Sequence, residues 1–222
     1  MSSLYFLAIY TMIKIVIILT IYPIIYYFLN KKYKNIKYEN KIYISSNLIK
    51  GLILFYLCAS YYHKFSGIFS ENEWDDLLYK KMAISYAVTD FCSLFIVSKM
   101  ALSTVIHHIV VVLFTTLIVM QDIKFGSILY SIILYGFFSS LAYLVNIYLA
   151  TRFLCSPAVN KIICNCSYYT YILLCIINWS YQIQFIVRNI YSNFYNILLY
   201  TGAVSFLVND DIKLIRFLKK NK

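Results

Sequence analysis

Three ionisable residues lie within long apolar stretches of the chain and are the side chains best suited to chemistry: Asp90, His107 and His108. A charged group in hydrocarbon costs at least about 2.5–3.5 kcal/mol on insertion scales, so such residues are functional candidates. A carboxylate that accepts the ring N–H of a histidine fixes its tautomer and raises its basicity. An Asp–His pair can therefore act as a proton acceptor or a nucleophile. The alternative is that Asp90 and one histidine only satisfy each other and hold two helices together.

The spacing of these residues predicts that they lie at one depth. Asp90 is nine residues before Lys99, in a short turn, and His107 and His108 are eight and nine residues after it. At 1.5 Å per residue, all three lie about 12–14 Å from the turn on antiparallel neighbouring helices. Adjacent helical residues point about 100° apart, so only one histidine can face Asp90 squarely. The other histidine needs a second partner or a cavity.

Other polar residues in apolar stretches are candidates for lining the same cavity. They are Lys50, Ser139, Asn146, Asn178 and Gln182. Helical steps of three or four residues place Ser139 with Asn146 on one face, and Asn178 with Gln182 on another. The alternative is interhelical hydrogen bonding, worth roughly 0.6 kcal/mol per pair. For Lys50, the alternative is that its ammonium group reaches toward the membrane surface.

The histidine content argues against a metal enzyme. The chain has three histidines, and the third, His63, is expected in a loop on the far side. A di-iron membrane desaturase needs many more, and zinc on a helix favours ligands at i and i+4. His107 and His108 lack that spacing, so the sequence predicts no metal and no bound cofactor.

The composition predicts an all-α polytopic membrane protein. Of the 222 residues, 62% are hydrophobic and 13% are charged, against about 45–50% and about 25% in soluble domains. This excludes an ordinary soluble enzyme, a disordered chain and a disulfide-rich module. The net charge of +11 is then a property of the loops rather than a sign of nucleic-acid binding.

Seven apolar stretches are predicted to cross about 30 Å of hydrocarbon. They are Leu4–Leu29, Ile44–Tyr62, Met82–Ser98, Leu102–Met120, Gly126–Ala150, Ser167–Val187 and Tyr191–Val208. The loops on the side of the C-terminus then carry thirteen Lys and Arg residues, against five on the other side. This bias predicts a cytosolic C-terminus and a lumenal or external N-terminus. Lys219 and Lys220 resemble a dilysine signal for retrieval to the endoplasmic reticulum, or are a generic basic end.

The acidic residue, the short basic turn and the following His-His-Ile resemble the TLC domain. That domain is shared by translocating-chain-associating proteins, ceramide synthases and the ceroid-lipofuscinosis protein group. Weaker similarities are Ser45-Ser46, Phe185-Ile-Val-Arg188 and Leu207-Val-Asn209. The resemblance implies a bundle of six helices around a lipid-accessible cavity in residues 42–215. Residues 1–41 would add an extra N-terminal helix with a basic loop, and residues 216–222 a basic tail.

Two departures place the chain outside the ceramide synthases. The only acid between His108 and Asn146 is Asp122, whereas ceramide synthases carry several further aspartates there. Ser139 stands where the smaller branch of the family has a glutamate, and Tyr148 replaces an arginine. The chain is therefore identified as a diverged member of that smaller branch, and a standard ceramide synthase is not expected.

The resemblance implies a protein of the endoplasmic reticulum that handles lipids or fatty-acyl groups. Membrane lipids are the expected partners, and acyl-CoA is the expected acyl donor if the protein is an enzyme. His107 or His108 would then be the base or the acyl-accepting nucleophile, and Asp90 would orient it. The alternative is a non-enzymatic regulator of membrane lipid composition, or a cargo or translocation accessory whose protein partner is unknown.

Overall fold

The computed structural model describes residues 3–61, 64 and 66–222, and all regular structure in them is helical. The helices are α1 (Ser3–Lys32), α2 (Tyr38–Tyr61), α3 (Asp76–Ile96), α4 (Leu102–Met120), α5 (Ile128–Leu141), α6 (Tyr143–Thr151), α7 (Pro157–Asn189) and α8 (Phe194–Asn221). Two short 3-10 segments, Ser66–Phe69 and Glu71–Glu73, precede α3. The all-α prediction is confirmed. His63, and Tyr62 at the predicted end of the second span, lie outside the described residues.

Four helices within the described residues are long and apolar enough to cross a membrane: α1, α2, α4 and α7. Helices α5 and α6 meet at a bend of 43°, and taken as one span they make a fifth. The prediction of a membrane protein is therefore supported at this level. Helices α3 and α8 fall outside the set because they carry the polar residues of the interior, including Asp90 in α3 and Asp211 in α8.

Local signals fix the start of α3 and the short connection that follows it. Asp75 caps α3, because its carboxylate accepts the backbone N–H of Leu78 at 2.9 Å. Residues 97–101 then join α3 to α4, and a connection this short makes the two helices antiparallel neighbours. Helices α3 and α4 accordingly pack along each other, which brings Asp90 beside the two histidines.

Helix α8 is one continuous helix that ends at Asn221. The last predicted span stops at Val208, and residues 216–222 are predicted as a separate tail. In the structure residues 216–221 are the final turns of α8, which packs against α4 and α7. Lys219 and Lys220 are exposed on this helix.

Gly51 allows α2 to approach α6 closely. A Cβ atom added at Gly51 would lie 2.7 Å from Cδ1 of Ile147 and 3.3 Å from its backbone nitrogen. Helices α2 and α6 share the most extensive contact in the bundle. Because Lys50 precedes Gly51, this contact also fixes where the Lys50 side chain enters the interior.

We expect a Gly51→Val variant to lose about 1–3 kcal/mol of unfolding free energy, the usual cost of overpacking. Gly202→Val is the matched control, because nothing lies within 4 Å of a Cβ added at Gly202 in α8. Thermal unfolding of the purified protein in detergent measures both variants. Equal melting temperatures would show that α2 and α6 are not in close contact at Gly51.

Candidate functional site

A cavity of about 410 Å³ opens among α2, α3, α4, α6 and α8, with one lining residue each from α5 and α7. Of the residues predicted to form a site, five line it: Lys50, His107, His108, Ser139 and Asn146. Asp90 lies behind this lining and is fully buried. The cavity therefore brings together residues that are separated by nearly 100 positions in the sequence.

Asp90 joins three helices at the wall of the cavity. The Lys50 ammonium group of α2 donates a hydrogen bond to Asp90 Oδ1. Nδ1 of His108, in α4, lies 3.1 Å from the same oxygen. The Lys50 and Asp90 side chains are 14% and 0% exposed, so this ion pair is largely removed from solvent. His108 is thus the histidine that faces Asp90.

His107 faces a different carboxylate. Its Nδ1 lies 3.4 Å from Oδ2 of Asp210 in α8, and the Thr104 hydroxyl donates to Oδ1 of Asp210 at 3.3 Å. The two imidazole rings are perpendicular, with centroids 5.7 Å apart, as the helical angle between adjacent residues requires. Both Nδ1 atoms lie at contact distance from a carboxylate but out of line for a standard hydrogen bond.

Asp211, the next residue, accepts hydrogen bonds from three side chains. The hydroxyl groups of Tyr135 and Tyr171 each donate to its carboxylate at 2.6 Å, and the Trp179 indole N–H donates at 3.3 Å. These donors come from α5 and α7, so they fix the rotation of α8. That rotation directs Asp210 toward His107.

Asp210 and Asp211 were not singled out as site residues from the sequence, because they follow the end of the last predicted span at Val208. A usable signal was present, since no proline or glycine interrupts the chain between Val208 and Lys213. An uninterrupted helix carries both acids along the same axis as the preceding apolar residues.

Asn178 and Gln182 lie in a separate network. Ser131 donates to Gln182 Oε1 at 2.7 Å, and Gln182 Nε2 donates to Asn178 Oδ1 at 3.1 Å. The Tyr200 hydroxyl donates to Ser131 Oγ at 3.0 Å and also to Gln182. Asn178 and Gln182 therefore join α5, α7 and α8 by hydrogen bonds, and neither lines the 410 Å³ cavity.

A smaller apolar cavity of about 60 Å³ lies beyond the histidines along α4. Tyr86 lines both cavities. The α4 residues in the apolar wall follow His108 at helical spacing, from Val111 through Phe114 to Ile118. A ligand with its polar group at the histidines thus has a small apolar space next to it, which fits a short hydrocarbon segment.

Asp90, His107 and His108 offer ligand atoms within 4.8 Å of one another, close enough to hold a metal ion. However, the Lys50 ammonium group already donates to Asp90, and a divalent cation there would meet its charge at short range. The donor set therefore fits an ion pair with an oriented histidine better than a metal centre.

Comparison of the chain with protein families, with curated proteins and with solved structures gave no match to any of them. The resemblance to the TLC domain, with the lipid chemistry it implies, therefore stays a prediction. The chemistry of the cavity rests on its own residues.

Proposed function

We propose that this protein holds a lipid or fatty-acyl group in its cavity and transfers the acyl group through a histidine. The observation that supports this proposal is that His107 and His108 line one cavity, and that Nδ1 of each faces a carboxylate. A carboxylate at Nδ1 orients the imidazole and leaves Nε2 with its lone pair. None of the hydrogen bonds among the described residues occupies either Nε2 atom. Two such nitrogens beside an apolar space suit acyl transfer.

In the proposed reaction, Nε2 of His107 or His108 attacks the carbonyl carbon of a fatty-acyl thioester. The N–C bond forms, the C–S bond breaks, and the thiolate leaves. The facing aspartate stabilises the positive charge of the acyl-imidazolium. An acceptor hydroxyl or amine then attacks the acyl carbon, and the N–C bond breaks. The acceptor's proton passes through the other histidine to the thiolate, so the net products are the acylated acceptor and a thiol.

We further propose that α3 and α8 cross the membrane beside α4, which with the α5–α6 pair makes seven spans. Their shared packing with α4, and their contributions of Asp90 and Asp210 to the site, support this. The bias in Lys and Arg orients the α3–α4 turn and the C-terminus toward the cytosol. A TLC-type bundle in the endoplasmic reticulum, with Lys219 and Lys220 as its retrieval signal, fits this orientation.

The test is a whole-cell lipid profile of cells that express the native chain, the His107→Ala/His108→Ala variant or an empty vector. Because both nucleophile candidates are removed, we expect a lipid class or acyl-chain distribution to shift with the native chain and return to the vector baseline in the variant. Matched membrane levels of the two proteins are the control. If the variant shifts lipids as the native chain does, the histidines do not transfer acyl groups.

A further inference from the structure

We propose that the mouth of the cavity is a phosphate-binding site centred on Arg152, with Lys213 as its second cation. This inference rests on the proposed function for the ligand's acyl part, but the binding site itself is argued from the mouth alone. Arg152 follows the last residue of α6, and Lys213 lies on α8. Both side chains line the 410 Å³ cavity.

Aromatic rings hold the Arg152 guanidinium group. Its central carbon lies 4.7 Å from the ring centroid of Phe153, 4.9 Å from that of Phe217 and 5.3 Å from that of Tyr43. Contacts with aromatic rings do not use up the N–H donors of a guanidinium group, which stay available to a ligand. Nε of Arg152 is buried and has no hydrogen-bond partner. Arg152 forms no ion pair with any acid in the described part of the chain.

Charge is separated along the cavity. The acids near the histidines each have a partner: Lys50 donates to Asp90, Thr104 donates to Asp210, which also faces His107, and three neutral donors bind Asp211. At the mouth, Lys213 also has no acidic partner among the residues that the structure describes. Lys213 and Phe217 are four residues apart on α8, so Lys213 lies on the helix face that meets Arg152. Arg152 and Lys213 are therefore two cations at the mouth without an acidic partner.

A phosphate group matches this arrangement. The guanidinium fork binds phosphate oxygens through two parallel hydrogen bonds, and a lysine adds a point charge. A ligand with its acyl carbon at His107 or His108 must extend a further polar part to reach Arg152. A free fatty acid ends at its carboxyl group, so it cannot occupy both positions. A phosphate-bearing amphiphile can, whether its phosphate belongs to a soluble thioester carrier or to a lipid headgroup.

The experiment measures equilibrium binding of two radiolabelled probes to the full-length protein in a non-ionic maltoside detergent. The probes are coenzyme A in solution and phosphatidic acid in mixed micelles. We expect Arg152→Gln to weaken binding about 10- to 100-fold, as the loss of charged hydrogen bonds predicts, and Arg152→Lys to weaken it less. Arg216→Gln is the matched control, because Arg216 is exposed on α8 and does not line the cavity.

Selective weakening of coenzyme A binding supports the site with a soluble carrier as the source of the phosphate. Selective weakening of phosphatidic acid binding supports it with a lipid headgroup. Equal affinities of Arg152→Gln and Arg216→Gln for both probes, or no binding of either probe to the native chain, would overturn it. An unchanged melting temperature of Arg152→Gln excludes misfolding. If Arg152→Gln does not fold, the binding comparison is made with Arg152→Lys.

The proposed acyl transfer and the proposed phosphate site can be rejected independently of each other. The His107→Ala/His108→Ala variant should keep native affinity for the bound probe, because it leaves the mouth intact. Probe binding without any lipid shift in cells would leave the phosphate site standing and reject acyl transfer. A lipid shift that depends on the histidines, with probe binding independent of Arg152, would reject the phosphate site alone.

Discussion

Replacing Asp90 with leucine is expected to lower the free energy of unfolding by about 3–5 kcal/mol, the cost of removing one partner of a buried ion pair. The Lys50 ammonium group would remain in the interior without the carboxylate to which it donates. His108 would lose the same partner, which lies 3.1 Å from its Nδ1. Thermal unfolding in detergent measures the loss of stability, and the cellular lipid profile measures the consequence of the lost partner of His108.

The Lys50→Met/Asp90→Leu variant separates the effect of the unpaired charge on stability from the role of Asp90 in the reaction. It removes both charges and replaces them with apolar side chains of similar size, which in buried ion pairs is often neutral or stabilising. We expect its melting temperature to return close to the native value, while its lipid profile stays at the vector baseline. If the double variant is as unstable as Asp90→Leu alone, the unpaired ammonium group is not the cause of the loss.

We expect the Asp211→Ala variant to lose at least about 3 kcal/mol of unfolding free energy. The change leaves Tyr135, Tyr171 and Trp179 without their acceptor, and each buried unsatisfied group costs about 1–3 kcal/mol. The melting temperature of the purified protein measures this loss.

The adjacent Asp210→Ala variant is its matched control. Asp210 is partly exposed and faces His107 and Thr104, so its removal should change the melting temperature little and reduce the lipid shift in cells. An Asp210→Ala variant less stable than Asp211→Ala would reverse the roles assigned to the two acids.

The meeting of Asp90 with a histidine could be predicted from the sequence because it depends on local geometry. Only a short turn separates α3 and α4, so counting residues from Lys99 in both directions gives their depths. The divergence of adjacent residues on a helix also required different partners for His107 and His108. The all-α class followed in the same way from composition alone.

Counting residues from the turn could not find Asp210, the carboxylate that faces His107. Asp210 is more than 100 residues from His107, and only the packing of α8 against α4 joins them. Likewise, the sequence placed Asn178 and Gln182 on one face of α7, and both are buried, as is Tyr171 on the same helix. Periodicity does not say which neighbour a face meets: Tyr171 reaches Asp211, whereas Gln182 bonds with Ser131.

The length of α7 has a consequence for how a charged ligand arrives. Its 33 residues extend about 50 Å, whereas the hydrocarbon layer is about 30 Å thick and a tilt of about 20° shortens the projection by only a few ångströms. Part of α7 therefore extends beyond the hydrocarbon layer, and its polar start carries Asn160 and Lys161. There it pairs with the end of α8, where the Cys164 thiol lies 3.6 Å from the carbonyl oxygen of Leu218.

Arg152 lies shortly before the start of α7. In the proposed seven-span arrangement, we expect the mouth of the cavity at the level of the lipid headgroups. A soluble anion can then reach it by diffusional encounter, without first partitioning into the bilayer. Such encounters are accelerated by opposite charge and slowed as ionic strength rises. The hydrocarbon part of the same ligand would enter afterwards. The hydrophobic effect would drive that step, and salt does not screen it.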